Sequence, residues 1–136
     1  MPGGYSGKPL NQKLGLREND RIVLHNAPPD FRAELEPLPQ GMTFVPLGRM
    51  AVDLALLFET ESSALERDFT AATLTLTMAG MLWVAWPKRA SKVPTDLTDN
   101  VVREIGVALG LVDVKVCAIN EIWSGLKFVR RLRDRS

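Results

Sequence analysis

Val52-Asp53-Leu54-Ala55-Leu56-Leu57-Phe58 is nearly continuous apolar sequence, and Met81-Leu82-Trp83-Val84-Ala85-Trp86 repeats that character further along the chain. Strand-sized runs of this kind are buried on both faces, the situation of central strands in a parallel sheet. Between them Leu65, Phe69, Ala72, Leu76 and Ala79 recur at spacings of 4, 3, 4 and 3, which is one apolar stripe of a helix. Ser63 and Glu66 have the spacing of a capping box at its start, and Gly80 suits its stop. Strand, helix and second buried strand make a βαβ unit, whose crossover is expected to be right-handed.

Outward from this unit, upstream, Arg21 to His25 reads as a strand that stops at Asn26-Ala27-Pro28-Pro29, where two prolines lack ladder donors. Asp30 is placed to cap a short helix with Phe31, Leu35 and Leu38 inward, closed by Pro37 and Pro39. Earlier still, Pro9 suits the first position of a short helix that carries Leu10 and Leu14 on one face and stops at Gly15. Met42 to Val45 is a weak strand. Only Leu47 to Ala51 separates it from Val52, too little for a parallel crossover to a neighbour, so it either runs antiparallel or joins no ladder.

Downstream, Pro87 to Pro94 is a loop. Thr98 is the best cap for a helix that buries Val101, Val102, Ile105 and Leu109 and ends at Gly110. Val112, Val114, Val116 and Ala118 then alternate with Asp113, Lys115 and Cys117, which is the period of a strand. Asn120 to Ser124 is too short to carry a parallel crossover to a strand at Gly125 to Arg131, so these two strands form an antiparallel hairpin. The expected fold is α/β: a three-layer Rossmann-like mixed sheet with a parallel core and a C-terminal antiparallel hairpin. It forms one domain over residues 1–136, with residues 1–8 loose and 132–136 a basic tail.

Length and composition agree with one domain. A chain of 136 residues sustains one core, and 46% apolar with 24% charged residues excludes collagen-like, disordered and disulfide-rich classes. A net charge of +1 provides no global field for nucleic acid or an anionic membrane. Cys117 is the one cysteine, so no intrachain disulfide forms. The first residues lack the apolar core of a signal peptide, and no apolar run approaches the ~18 residues of a membrane span. A cytoplasmic protein is expected. The lone His25, Cys117 and scattered carboxylates have no zinc or iron–sulfur spacing, so no metal site is expected.

The layout resembles that of class I S-adenosylmethionine-dependent methyltransferases. On that resemblance Arg21 to His25 is the first strand, Val52 to Phe58 the fourth and Met81 to Trp86 the fifth. Val112 to Asn120 is then the sixth, and Gly125 to Arg131 the inserted seventh. The chain is also similar to a bacterial family described as a domain of unknown function. That similarity rests on Gly4-Tyr5-Ser6-Gly7-Lys8-Pro9-Leu10, Trp83-Val84-Ala85-Trp86-Pro87-Lys88, Thr95-Asp96-Leu97-Thr98, Gly110 to Ala118 and Trp123-Ser124-Gly125-Leu126-Lys127. It implies no particular activity.

Cofactor sites of such folds use a glycine-rich turn after the first strand and an acidic residue after the second. Here the turn is Asn26-Ala27-Pro28-Pro29 and the second strand leads into Val45-Pro46-Leu47, while Asp53 begins a strand instead of ending one. No P-loop is present. No cofactor is therefore expected, S-adenosylmethionine included. What the strand ends do offer is a polar rim: His25 and Asn26 after the first strand, Glu59 and Thr60 after the fourth, and Lys88, Arg89 and Ser91 after the fifth. Tyr5 on the glycine-rich N-terminal segment either closes over it or belongs to a disordered terminus, the commoner case, and Trp123 in the hairpin turn caps the sheet edge, stacks on a ligand or meets a partner.

His25 suits a general base or a ring bonded to a neighbouring loop, the latter being the commoner role. Cys117 has Lys115 two places away on its face, which lowers a thiol pKa, yet a strand cysteine is usually a small buried hydrophobe. The expected function is a noncatalytic binding or interaction module on a degenerate methyltransferase-like fold. The alternative is a small-anion or nucleotide-binding enzyme built on His25, Lys88 and Arg89. The expected partner is a small molecule or protein, with a second copy of the chain among the candidates, and not a membrane; nucleic acid contact by Arg130, Arg131, Arg133 and Arg135 is the least favoured.

Overall fold

A computed structural model describes residues 8–135. Its centre is a six-stranded sheet in the order β2-β1-β3-β4-β6-β5, with β1 at Arg21–His25, β2 at Thr43–Phe44, β3 at Val52–Phe58, β4 at Leu76–Pro87, β5 at Leu111–Ala118 and β6 at Trp123–Arg130. The first four strands in that order are parallel; β6 runs antiparallel to β4 and β5 antiparallel to β6. The parallel core and the closing hairpin are thus as the apolar pattern implies, with β6 inserted between β4 and β5.

The sheet is covered on both faces. Helices α3 (Ser62–Thr75) and α4 (Asp99–Ala108) lie on one side, where Leu65, Phe69, Ala72 and Val102 pack with Val23, Leu57, Leu82, Val84 and Phe128. Helices α1 (Leu10–Leu14) and α2 (Phe31–Glu34) lie on the other, where Leu14, Phe31 and Leu35 pack with Ile22, Leu54, Leu56 and Trp83. Trp83 and Trp86 belong to opposite faces, as alternation along a strand requires. The indole N–H of fully buried Trp83 donates to the Leu14 carbonyl at 2.9 Å, which satisfies its polar atom and pins the end of α1. Gly15 there takes the left-handed conformation (φ 89°), as expected, while Pro9 is the N-cap residue instead of the first helical one.

The structure corrects several local expectations. The helix α3 stops at Thr75, not Gly80, and Leu76 to Gly80 belong to β4. The cause lies in Thr73-Leu74-Thr75-Leu76-Thr77, where β-branched residues alternate with leucines at strand period. Gly80 is needed for a different reason: a Cβ there would come 2.7 Å from Leu76 Cδ1. The Ser63–Glu66 capping box is not used. Asp96 serves the start of α3 from another loop, accepting from Ser62 N at 2.8 Å and Ser62 Oγ at 2.9 Å. The helix α2 is four residues long, and Leu38 lies beyond it, 39% exposed. Thr98 does cap α4, accepting from Val101 N, but Leu109 falls at the C-cap and is 37% exposed.

Strand β2 is parallel after all. It pairs with β1 and not with β3, so the link over residues 45–51 passes across β1, with Val45 and Leu47 packed on the α3 side. A two-residue strand makes so short a crossing feasible. Arg130, expected to lead into the basic tail, turns inward. Its guanidinium donates to the carbonyls of Thr73, at 2.9 Å, Leu76 and Thr77, and so closes the last turn of α3.

Phe128 stacks edge-on against Phe69 at 5.1 Å between sheet and helices, and a Cβ on Gly106 of α4 would come within 2.1 Å of its ring. Glycine inside a helix ordinarily costs about 1 kcal/mol against alanine. Here the close approach reverses the sign: Gly106→Ala is expected to destabilise the fold by about 1–3 kcal/mol through overpacking, measured by urea denaturation.

Candidate functional site

The strand order reverses between β1 and β3, because the chain moves from β1 outward to β2 and then back to β3 on the other side. Ligands of open α/β sheets bind at the carboxyl ends of strands flanking such a reversal. His25 ends β1 and Glu59 follows β3, so both sit at this point. Both face α3, since Val23 and Leu57, two residues before each, belong to the core under that helix. Asp68, on α3, meets them there. His25 Nε2 lies 3.1 Å from Asp68 Oδ2, and one donor atom each from His25, Glu59 and Asp68 falls within 4.8 Å of the others. The imidazole is thus bonded to a helix and not to the neighbouring loop.

Burial sets the electrostatics of this cluster. Glu59 is 2% exposed, and loss of water together with the adjacent Asp68 pushes its carboxyl up to about 8. Desolvation pushes Asp68 upward too, but a hydrogen bond from Glu59 and the charges of His25 and Arg67 outweigh it and hold Asp68 below the usual carboxylate range. The pair therefore shares a proton at neutral pH, carried on Glu59 and donated to Asp68. Arg67 Nε reaches the other oxygen of Asp68 at 3.3 Å from the solvent side.

A second site opens further along the carboxyl edge. A groove of about 560 Å³ lies at the end of β4 beside the start of α4, and Trp86, Lys88, Arg89, Lys92, Asp99 and Ser124 are among its lining residues. Lys88 is fixed by its backbone, whose N–H donates to the Ile122 carbonyl at 2.7 Å, and Lys92 adopts a left-handed turn (φ 62°). None of the three cations forms an ion pair among the described residues.

The residues singled out from sequence are therefore divided. Lys88 and Arg89 line the groove; His25 belongs to the switch-point cluster, and Asn26 forms the left-handed turn (φ 59°) beside it. Ser91 lines neither, since its hydroxyl donates to the Lys88 carbonyl at 2.6 Å and accepts from Val93 N. Trp123 starts β6 and packs edge-on to Phe58 at 4.9 Å, on the face away from α3 and α4; since β6 lies inside the sheet, it covers a face and not a sheet edge. Tyr5 lies outside the described residues. Burial raises the Cys117 thiol despite Lys13 and Lys115, so it is an ordinary partly buried strand thiol.

Sequence reading missed Asp68 and the burial of Glu59. The available signal was a carboxylate three residues after Leu65 and beside Phe69, on the inward face of an otherwise apolar helix. Linear spacing, on which the expectation of no metal site rested, also does not reveal that His25, Glu59 and Asp68 converge from three separate elements.

No family model matches the chain, and neither does any curated protein. Solved structures do match in fold. A Haloferax volcanii protein in complex with the Trm112 methyltransferase activator aligns at TM-score 0.64 and 12% identity, over 88% of this chain and 86% of that one. Fibrillarin from Aeropyrum pernix, with natively bound S-adenosyl-L-methionine, aligns at TM-score 0.58 and 12% identity, over 93% and 70%. LepI in complex with S-adenosylmethionine aligns at 0.59 and 12%, over 96% of this chain. The chain spans only 49% of LepI in that structure and 36% in another. The fold is that of S-adenosylmethionine-dependent methyltransferases. Among the described residues no helix is long and apolar enough to cross a membrane.

The Glu59–Asp68 pair makes stability depend on pH with a definite sign. Unfolded, Glu59 gives up its proton near its ordinary 4.5; folded, it keeps it to about 8. Stability is therefore expected to fall as pH rises through that window, by an amount on the order of a few kcal/mol, and to level off above it. Glu59→Gln, whose amide donates to Asp68 without titrating, is expected to flatten the decline. Urea denaturation of both proteins at pH 5 and pH 8, in buffer containing a chelator, measures it.

Proposed function

We propose that this chain is a binding module on a methyltransferase-like fold, that it does not transfer methyl groups, and that it takes a small anion in the groove at the end of β4. The residues at the carboxyl edge do not fit S-adenosylmethionine. The turn after β1 carries Pro28 and Pro29, which have no N–H to offer a ligand, and the helix behind it is only four residues long. After β2 the chain reads Val45-Pro46, with no carboxylate for ribose hydroxyls. The side chains of His25 and Glu59 are drawn into the cluster with Asp68.

The observation that carries the anion reading is the charge imbalance of the groove: Lys88, Arg89 and Lys92 against Asp99. Unpaired cations around a concave surface attract carboxylate or phosphate, and a guanidinium can grip either with two parallel bonds. Trp86 gives the groove an apolar wall, and Ser124 adds a hydroxyl. That arrangement suits a small organic anion with an apolar portion.

Thermal-shift and calorimetric titration with inorganic phosphate, nucleotides and organic acids test the proposal. At least one of these is expected to bind, and the Lys88→Ala/Arg89→Ala variant to weaken it by roughly tenfold or more, since each charge-assisted bond contributes about 1.5–3 kcal/mol. S-adenosylmethionine is expected to produce no heat. Micromolar binding of S-adenosylmethionine overturns the first half of the proposal; anion binding that the double variant leaves intact overturns the second.

A further inference from the structure

We propose that His25, Glu59 and Asp68 bind a first-row divalent metal ion, of the zinc or manganese type, at the switch point between β1 and β3. The site is separate from the basic groove and uses none of its lining residues. Each ligand comes from a different element: His25 from the end of β1, Glu59 from just past β3, Asp68 from α3. They converge where the strand order reverses.

The geometry suits a metal. Bonds of about 2.0–2.2 Å put neighbouring ligand atoms roughly 3–3.5 Å apart. His25 Nε2 and Asp68 Oδ2 already stand at 3.1 Å, and the Glu59 donor lies within 4.8 Å of both, so side-chain rotation closes the set. Independently of that spacing, Glu59 Oε2 is buried and accepts no hydrogen bond, in a side chain only 2% exposed. Buried polar atoms are rarely left so, and coordination gives this one a partner.

The surroundings add to the case. Arg67 holds Asp68 Oδ1, which leaves Oδ2 for the ion and fixes the carboxylate plane, as outer partners of metal ligands do. The His25 side chain is 28% exposed, so the cluster has a path to solvent. One imidazole nitrogen with two carboxylates matches zinc, manganese or ferrous iron, and provides too few oxygens for calcium. Two carboxylates balance the ion's charge; as it enters, the carboxyl proton leaves to solvent and the hydrogen on His25 Nε2 is given up to solvent with Nδ1 left as the protonated nitrogen, so that Nε2 presents its lone pair.

His25 is the only histidine in the chain, so its imidazole resonance reports the site without assignment ambiguity. Chelator-treated protein carrying Cys117→Ser, to remove the thiol as a competitor, is titrated with zinc chloride and followed by imidazole NMR and calorimetry. The expected result is one bound ion with a micromolar dissociation constant and a shifted His25 resonance. Glu59→Gln and Asp68→Asn are each expected to weaken binding by roughly tenfold or more. Manganese is expected to broaden the same resonance. A His25 signal unmoved by zinc up to about 1 mM overturns the proposal, because a weaker site has no standing affinity. So does zinc binding that both variants leave unchanged. Should either variant fail to fold by circular dichroism, the His25 titration of the parent protein decides alone.

Discussion

The fold depends on β3 and β4 being buried on both faces. Leu54, Ala55, Leu56 and Leu57 are essentially inaccessible, as are Leu82, Trp83, Val84 and Ala85. Two adjacent strands of this kind cannot face water on either side, so the chain has to supply cover for both. It does so unequally. On one face stand the long α3 and the α4 helix; on the other, α1 and α2 are short and are supplemented by the aromatic side chains of Phe31, Phe58 and Trp123. The thinner layer is stitched by specific polar contacts. The Asn11 amide donates to the carbonyls of Leu35 and Pro37, and Trp83 donates to Leu14.

The same burial explains why the carboxyl edge carries what chemistry the molecule has. Strands that are apolar throughout have room for polar side chains only where they end. There β1 gives His25, β3 gives Glu59, and β4 gives Lys88 and Arg89. At the opposite edge Asp53 has a structural task, accepting from Arg21 N at 2.8 Å. Both candidate sites follow from this division. The switch-point cluster is largely closed and its side chains bond one another, whereas the groove is open with an excess of positive charge.

Continuous apolar runs and strand-period alternation are strong signals, and they made β3, β4, the hairpin and the three-layer arrangement legible in advance. Where local cues conflicted, reading failed for definable reasons. Around Leu76 a helical stripe overlaps a Thr-Leu alternation, and pairing with Val52 decides for the strand. The capping box at Ser63 and Glu66 lost to Asp96, a partner from a distant loop that no local motif reveals. The direction of β2 was unreadable because two residues carry almost no pattern. The site was legible only in part for a related reason. Strand-end residues can be listed from sequence, but whether they meet depends on strand order. His25 and Lys88 stand on strands separated by β3, and the partner that His25 does find, Asp68, is a polar residue on a helix whose other inward residues are apolar.

The guanidinium of Arg130 bears on how the molecule is made. The final carbonyls of α3 are satisfied by a residue more than fifty positions later, at the end of β6. During synthesis that helix emerges well before its terminator, so its last turn stays frayed in the nascent chain until β6 has left the ribosome. A single arginine thereby couples the completion of an early element to the arrival of the last strand.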